Sequence, residues 1–300
     1  MEFKYHTADV FTDTAFGGNQ LAVLPDARGL STEQMQAITR EFNYSETVFV
    51  VPPDNPAHTR RFRIFIPTAE IPFAGHPTVG GAFVLAAIGD IPLDGDETRI
   101  VCEEGVGPVP VLVRSRNGKP YFTQLTAAKI PEKHDHQYDA ATIASILSLD
   151  KSDIDFENGN AIEGWTAGLP YLCVPLKSRD ALERARVKVD LLDQHLRGTF
   201  CTEPYVFTKE GDSYRSRMFA PLLGVSEDPA TGSAAAAFAG YVGARSSTAD
   251  GTVSFTVHQG VEMGRPSRLD VEVDLSGGVI ESVRVGGASV LITSGTLFVP

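Results

Sequence analysis

Cysteine, long apolar runs and clustered basic residues are all scarce in this 300-residue sequence. The three cysteines, Cys102, Cys173 and Cys201, are widely spaced and form no C-x-x-C pair, which favours buried thiols over a disulfide framework. No apolar run is long enough to span a membrane, so no membrane partner is expected. The amino terminus has neither the basic start nor the apolar stretch of a secretory signal, which favours a cytoplasmic location.

The charge balance is acidic, with a formal net charge of −12. An acidic chain repels phosphate backbones, and no stripe of Lys and Arg with interleaved aromatics is present, so nucleic acid is not an expected partner. A small carboxylate remains compatible, because backbone donors and a few arginines can bind one locally.

The usual cofactor and metal motifs are missing as well. There is no phosphate loop, no G-x-G-x-x-G after a strand and no G-x-S-x-G. The triplet from His134 to His136 lies in a polar connector without further ligands at metal spacing, which predicts solvated side chains. We therefore expect no cofactor and no metal.

The length and the hydrophobic fraction of 42% indicate a globular chain with two domains. An internal repeat supports this division, because in each half a strand ending in Phe-x-Pro runs through a polar turn into an alanine-rich apolar helix. The two copies read Phe65-Ile66-Pro67 then Gly75-His76-Pro77-Thr78, and Phe219-Ala220-Pro221 then Glu227-Asp228-Pro229-Ala230-Thr231-Gly232-Ser233. Alignment of Pro77 with Pro229 gives His76 and Asp228 equivalent places.

The helices that follow these turns are apolar on every side, from Val79 to Ile88 and from Ala234 to Val242. Such helices are buried all round, as when a curved sheet encloses them. Gly89 and Gly243 are the predicted C-caps.

Asp228 followed by proline is typical of an N-cap and a first helical residue, which is a purely structural interpretation. His76 fits that pattern less well, because histidine is a poor cap. If the two helix starts converge on a cleft between the domains, their free N–H groups and positive dipole ends suit a carboxylate, and they favour a neutral His76 and an ionised Asp228. Ser233 adds a hydroxyl there, or it is a small residue chosen for packing.

The remaining pattern is β-rich, with a capping box from Ser31 to Gln34 and a helix predicted over 189–196. We predict a first domain from residues 1–125 with about 286–300, and a second from residues 126–285. Glu46 stands alone before an apolar strand, which is typical of a solvated strand-end charge. The second copy does not reproduce it in register, so a role on one side only is the alternative.

Several motifs together resemble the PhzF (phenazine biosynthesis-like) family of isomerases over essentially the whole chain. They are Gly17-Gly18-Asn19, Ser45-Glu46-Thr47, Phe73-Ala74-Gly75-His76-Pro77-Thr78, Glu227-Asp228-Pro229-Ala230-Thr231-Gly232-Ser233 and Gly264-Arg265-Pro266-Ser267.

The resemblance implies an α+β fold of the diaminopimelate epimerase-like type, with two pseudo-symmetric domains that each wrap a curved sheet or barrel around a central helix, and a homodimer. It implies catalytic roles for Glu46, His76 and Asp228, with Glu46 as the general acid and base. The substrate-binding residues that it implies are Asn19, Gly75, Gly232 and Ser233. Gln20-Leu21 stands where many relatives have Pro-Ala.

The resemblance predicts a cofactor-independent isomerase that moves a proton, with a double-bond shift, on a small carboxylate-bearing metabolite. An epimerase or dehydratase on the same scaffold and a non-catalytic metabolite-binding protein are the alternatives. Related racemases carry a cysteine at each of the two helix starts, and 74–77 and 227–230 contain none, so a two-thiol racemase is disfavoured.

Overall fold

The computed structural model describes all residues, 1–300. The chain forms two compact units, one made of Met1–Ala128 with Val285–Pro300 and the other of Lys129–Arg284. Strands dominate both units, with few helices, so the α+β class is confirmed. That the units are separate domains with the predicted boundaries stays a prediction.

The elements follow one another in an order that is nearly the same in both halves. The first half contains β1 (Glu2–Val10), β2 (Asn19–Leu24), α1 (Thr32–Phe42), β3 (Glu46–Val51), β4 (Arg60–Phe65), β5 (Glu70–Ile71), α2 (Gly75–Ala87), β6 (Glu97–Glu104), β7 (Gly107–Arg116) and β8 (Lys119–Thr126). The rest contains β9 (Glu132–His134), α3 (Ala140–Ile146), β10 (Glu163–Thr166), β11 (Pro170–Pro175), α4 (Arg179–Arg184), α5 (Val189–Leu196), β12 (Pro204–Glu210), β13 (Ser213–Ala220), β14 (Val225–Asp228), α6 (Gly232–Gly243), β15 (Gly251–Gln259), β16 (Ser267–Ser276), β17 (Val279–Gly287) and β18 (Ser289–Phe298).

The strand pairings of the two units repeat in the same sequence of orientations. In the first unit β18, β1 and β2 pair antiparallel, β2 and β3 parallel, β3, β4 and β5 antiparallel, β4 and β6 parallel, and β6, β7 and β8 antiparallel. In the second unit β9, β10 and β11 pair antiparallel, β11 and β12 parallel, β12, β13 and β14 antiparallel, β13 and β15 parallel, and β15 and β16 antiparallel. The predicted duplication is therefore a duplication of topology.

Both apolar helices are buried all round, as predicted. Every residue of α2 from Gly75 to Ala86 is buried, and α2 packs against strands β1, β2, β3, β7, β8 and β18 of its own unit. Helix α6 is buried along almost its whole length and packs against β9, β10, β11 and β16. The three cysteines are free and buried, as expected.

Local helix signals were confirmed in most places. Ser31 and Gln34 form the capping box of α1, and α5 has the predicted bounds. Gly89 follows the end of α2 with a left-handed φ of 79°.

Gly243 was predicted wrongly as a C-cap, because it is the last residue of α6 and the helix ends on Ala244 in a right-handed conformation. A Cβ on Gly243 would lie 3.0 Å from Ile280, so close packing explains this glycine. The structure contains no helix long and apolar enough to cross a bilayer.

Gly80 lets the backbone of α2 approach the sheet. A Cβ on Gly80 would lie 2.4 Å from Val10 Cγ2 and 2.6 Å from Leu21 Cδ2, which is closer than carbon atoms can approach. Alanine has the better helix propensity, by about 1 kcal/mol, but this gain is smaller than the cost of overpacking a close-packed core.

We therefore expect Gly80→Ala to lower the free energy of unfolding by about 1–3 kcal/mol, measured by chemical denaturation. An increase of about 1 kcal/mol, the value set by helix propensity alone, would show that the close approach is not a constraint.

Candidate active site

Three side chains of the predicted site lie at the starts of adjacent elements in the first unit. Asn19 opens β2 and Glu46 opens β3, two parallel strands in which Leu21 pairs with Glu46. Parallel strands begin at the same edge of a sheet, so both side chains lie at that edge. Helix α2 packs against both strands, and His76 is its second residue.

The Nδ1 atom of His76 is the point where these side chains meet. It lies 3.4 Å from Oε2 of Glu46 and 3.3 Å from Nδ2 of Asn19. His76 and Asn19 are buried, whereas the Glu46 side chain keeps 16% of its surface exposed. The group that can meet a substrate is therefore the carboxylate, with the imidazole behind it.

Burial determines the charge of His76. Loss of solvation in the buried site lowers the pKa of His76 from its usual 6.5 to about 3, although a hydrogen bond to the backbone of Gln20 acts in the opposite direction. The Nε2 atom is buried without a hydrogen-bond partner. The sequence predicted a neutral His76 from the positive helix end, but the larger cause in the structure is desolvation.

Ser233 is the matching residue of the second unit. It is the second residue of α6, as His76 is of α2, and its Oγ lies 2.6 Å from the hydroxyl of Tyr171 on β11. Both groups are buried. Tyr171 was not predicted from the sequence, although it corresponds in the repeat to Gln20, whose backbone contacts His76.

Asp228 is not the N-cap of α6, so that prediction is wrong. It is the last residue of β14, and the N-cap is Thr231. The Thr231 hydroxyl donates to Oδ2 of Asp228 at 2.5 Å, and Nε2 of Gln259 donates to the Asp228 carbonyl at 2.8 Å. Asp228 is thus fixed by its own loop, three residues before the helix cap.

The equivalence of His76 with Asp228 is also wrong, because two matching ion pairs fix the register of the repeat. Arg63 binds Glu70 through two hydrogen bonds, and Arg217 binds Glu227 in the same way.

From these pairs the two copies read Glu70-Ile71-Pro72 to Gly75-His76 and Glu227-Asp228-Pro229 to Gly232-Ser233. His76 therefore corresponds to Ser233 and Asp228 to Ile71. The shared E-x-P-x-x-G pattern was present in the sequence, but alignment on Pro77 shifted it by five residues.

His134 departs from the expectation of a solvated side chain. It ends β9, and its ring stacks on Phe200 with 4.0 Å between the ring centroids. Its Nδ1 atom is buried without a hydrogen-bond partner. No group of three or more His, Cys, Asp or Glu side chains is placed to hold a metal ion.

The family model for phenazine biosynthesis-like proteins matches residues 8–295. An uncharacterized isomerase of Mesorhizobium japonicum is 43% identical, over 99% of both chains. The chain belongs to the phenazine biosynthesis-like family. The trans-2,3-dihydro-3-hydroxyanthranilate isomerase of Pseudomonas aeruginosa is 33% identical, over 98% of this chain and 99% of its own.

Solved structures agree with the fold. A PhzF-family protein of Bacillus anthracis has a TM-score of 0.86 at 23% identity, with full coverage of both chains. A hydroxyproline epimerase of Agrobacterium vitis has a TM-score of 0.69 at 14% identity, over 99% of this chain and 92% of its own. The epimerase-like fold is therefore confirmed, and membership of a family of isomerases makes this protein an isomerase.

The depressed pKa of His76 has a consequence for stability. The unfolded chain binds a proton on this ring below about pH 6.5, whereas the native ring binds it only near pH 3. Stability is therefore fully present above pH 6.5 and is lost as the pH falls towards 3, by about 2 kcal/mol at pH 5.

We expect the free energy of unfolding of His76→Gln to fall less than that of the wild type between pH 7 and 5, measured by urea denaturation. The exposed His195→Gln is the control. An imidazole signal of His76 that titrates near pH 6.5 in NMR spectra would contradict this interpretation.

Proposed function

We propose that this protein is a cofactor-independent isomerase that shifts a proton, and with it a double bond, on a small carboxylate-bearing metabolite. The supporting observation is the contact of Glu46 with the neutral, buried His76 beside Asn19. In this proposal Glu46 removes the proton from one carbon and returns it to another.

Glu46 is the best candidate for the proton carrier of this group. Its side chain is partly exposed, whereas His76 is buried and resists protonation because of its low pKa. In the second unit Pro204 occupies the position that Glu46 has in the first. Leu172 pairs with Pro204 there, as Leu21 pairs with Glu46. The second copy therefore offers no matching acid, and the proposal uses a single carboxylate.

A carboxylate is a weak base towards carbon. Its use requires a C–H bond whose carbanion is delocalised, and a general base is most effective when its pKa lies near the working pH. The neutral His76 lies 3.4 Å behind Oε2 of Glu46 and orients the carboxylate between the two transfers by this contact.

We assign substrate binding to the helix starts. Gly75 and Gly232 are the first residues of α2 and α6, where backbone N–H groups have no partner within the helix and attract an anion. Asn19 and Ser233 add polar groups, and Asp228, oriented by Thr231, accepts a hydrogen bond from a substrate amine or hydroxyl. A cleft that joins the two units stays a prediction of the sequence.

The substrate class follows from the same chemistry. One relative is named for the isomerisation of trans-2,3-dihydro-3-hydroxyanthranilate, an unsaturated ring carboxylate. We propose a substrate of that class, in which the ring delocalises the carbanion and the carboxylate binds at a helix start. The proposal includes a homodimer without a metal or organic cofactor.

Epimerisation is the second candidate, because the fold is shared with a hydroxyproline epimerase. With the corrected register the two helix starts are Ala74-Gly75-His76 and Thr231-Gly232-Ser233, and neither contains a cysteine. The three thiols are buried elsewhere in the fold. An epimerisation here would depend on Glu46 as well, and would not use paired thiols.

We expect the purified protein to exchange carbon-bound protons of an unsaturated ring carboxylate in D₂O without added cofactor, with trans-2,3-dihydro-3-hydroxyanthranilate as the first probe. Glu46→Gln should lower the exchange rate at least 100-fold, because general base catalysis contributes about 10²–10⁴-fold. The readout is NMR or mass spectrometry.

Glu97→Gln, which changes a half-exposed carboxylate at the start of β6, is the matched control and should exchange at the wild-type rate. Equal exchange by Glu46→Gln and wild type would overturn the assignment of the base. Exchange that inverts one stereocentre in place of shifting the double bond would favour the epimerase.

A further inference from the structure

A turn between β6 and β7 holds the segment that leads into α2. The Val106 amide donates to the Pro72 carbonyl at 2.9 Å. A Cβ on Gly105 would lie 2.8 Å from Pro72 Cα, so only glycine allows this approach. Glu104 adds a side-chain contact to Thr78 in the first turn of α2. These three contacts fix where the first turn of α2 begins.

The hydroxyl of Thr78 makes two short contacts with oxygen atoms. It lies 2.7 Å from the Ala74 carbonyl and 2.6 Å from Oε1 of Glu104. A hydroxyl has one proton to donate, and a carbonyl has none. If Thr78 donates to Ala74, the second contact is a hydrogen bond only when Glu104 donates its own proton. A protonated carboxylic acid is the form of Glu104 with which both contacts are hydrogen bonds at once.

The surroundings of Glu104 agree with a neutral group. Glu104 is 5% exposed, and its Oε2 atom is buried without a hydrogen-bond partner. Burial raises the pKa of Glu104 to about 8, although the Thr78 hydrogen bond acts in the opposite direction. No cation lies close enough to offset a charge there.

The titratable groups on the neighbouring elements are few. Cys102 is buried on the same strand, and the charge of Glu104 adds to the effect of burial in raising the pKa of this thiol. Glu103 contacts His58 at 2.8 Å. On α2 the sole titratable residue is His76, and on β5 Glu70 binds Arg63.

In the second unit an amide, that of Gln259, contacts the segment that leads into α6. Gln259 ends β15 as Glu104 ends β6, and the next residue, Gly260, approaches Pro229 as Gly105 approaches Pro72. The Gln259 Nε2 donates to the Asp228 carbonyl at 2.8 Å and to the Thr231 hydroxyl at 2.9 Å, and its Oε1 accepts from the Thr231 amide at 3.2 Å. An amide has a donor and an acceptor at every pH, whereas a carboxyl group has a donor only while it is protonated.

We propose that Glu104 is a positioning residue that holds the first turn of α2, and therefore His76, as a neutral carboxylic acid, and that loss of its proton releases this turn. When Glu104 ionises, Thr78 gives its single proton to the carboxylate, and the Ala74 carbonyl loses the hydroxyl. Gln259 is the counterpart that does not titrate. The effect on turnover rests on the proposed function, whereas the effect on the helix start does not.

Glu104→Gln is the direct test, because it places the residue of the second unit in the first. The unfolded carboxyl loses its proton near pH 4.5 and the native one near pH 8. Native stability is therefore full below pH 4.5 and falls as the pH rises to 8. We expect the Tm of Glu104→Gln to exceed that of wild type by an amount that grows from pH 5 to 8 and is constant above. Glu97→Gln, a half-exposed carboxylate of the same strand that faces only arginines, is the control that should keep the wild-type dependence.

Two spectroscopic measurements follow the proton itself. The infrared difference spectrum of wild type against Glu104→Gln should contain the band of a protonated carboxyl at pH 7, and this band should be lost with a midpoint near pH 8. The NMR signals of the His76 ring should shift with the same midpoint in wild type and stay constant in Glu104→Gln. A Glu104 carboxyl that ionises near pH 4.5, or His76 signals that ignore the titration, would overturn the proposal.

Activity separates this proposal from the proposed function. With any substrate that wild type exchanges, kcat should fall at least 5-fold from pH 7 to 9 in wild type and Glu97→Gln but not in Glu104→Gln, with little change in KM. Gln259→Glu places a titratable carboxyl at the matching position of the second unit. Its Tm should therefore fall more than that of wild type as the pH becomes alkaline. An alkaline loss of kcat that persists in Glu104→Gln refutes the positioning role. If no substrate is exchanged while the infrared, NMR and Tm results hold, the proposed function fails and this inference stands.

Discussion

The buried first turn of α2 is the constraint on which the other features depend. A helix that is apolar on every side must be enclosed by strands, and enclosure removes water from the residues at its start. An imidazole placed there stays neutral, because burial costs its charged form more hydration than the neighbouring groups restore. In the proposed function, proton transfer therefore falls to the partly exposed Glu46.

Duplication gives both units the same frame, and the corrected register shows where their chemistry differs. In the repeat, His76 corresponds to Ser233, Glu46 to Pro204 and Glu104 to Gln259. Each of these three ionisable residues belongs to the first unit and has a neutral counterpart in the second. Asp228 is the reverse case, with Ile71 as its counterpart. The two units therefore differ in ionisable residues at four corresponding positions, and not only at the turn before each helix.

The sequence predicted the features that depend on periodicity and composition. The two enclosed helices, the capping box of Ser31 and the buried thiols follow from apolar patterns and local caps, whereas the α+β class was implied by the resemblance to the family. The sequence-based predictions were wrong where a contact between distant residues determines the structure. The pairs of Arg63 with Glu70 and of Arg217 with Glu227 set the register, and the contact of Gly243 with Ile280 explains a glycine that resembles a cap.

Side chains that act through neighbours were the hardest to predict. Glu104, Tyr171 and Gln259 lie at the ends of ordinary strands, and nothing in their local sequence marks them. What distinguishes them is the correspondence between the two copies in the correct register of the repeat. The shared glycines that follow Glu104 and Gln259 are the signal that a closer alignment of the repeat would have found.

The central claim is that one carboxylate carries the proton between two carbons of the substrate. The most direct measurement uses trans-2,3-dihydro-3-hydroxyanthranilate with deuterium at the carbon that loses its proton, converted in H₂O and followed by NMR at low turnover. The account predicts that part of the deuterium is found at the receiving carbon of the product, because Glu46 returns the same atom that it removes. Product without any transferred deuterium, formed at an equal rate by Glu46→Gln, would contradict it.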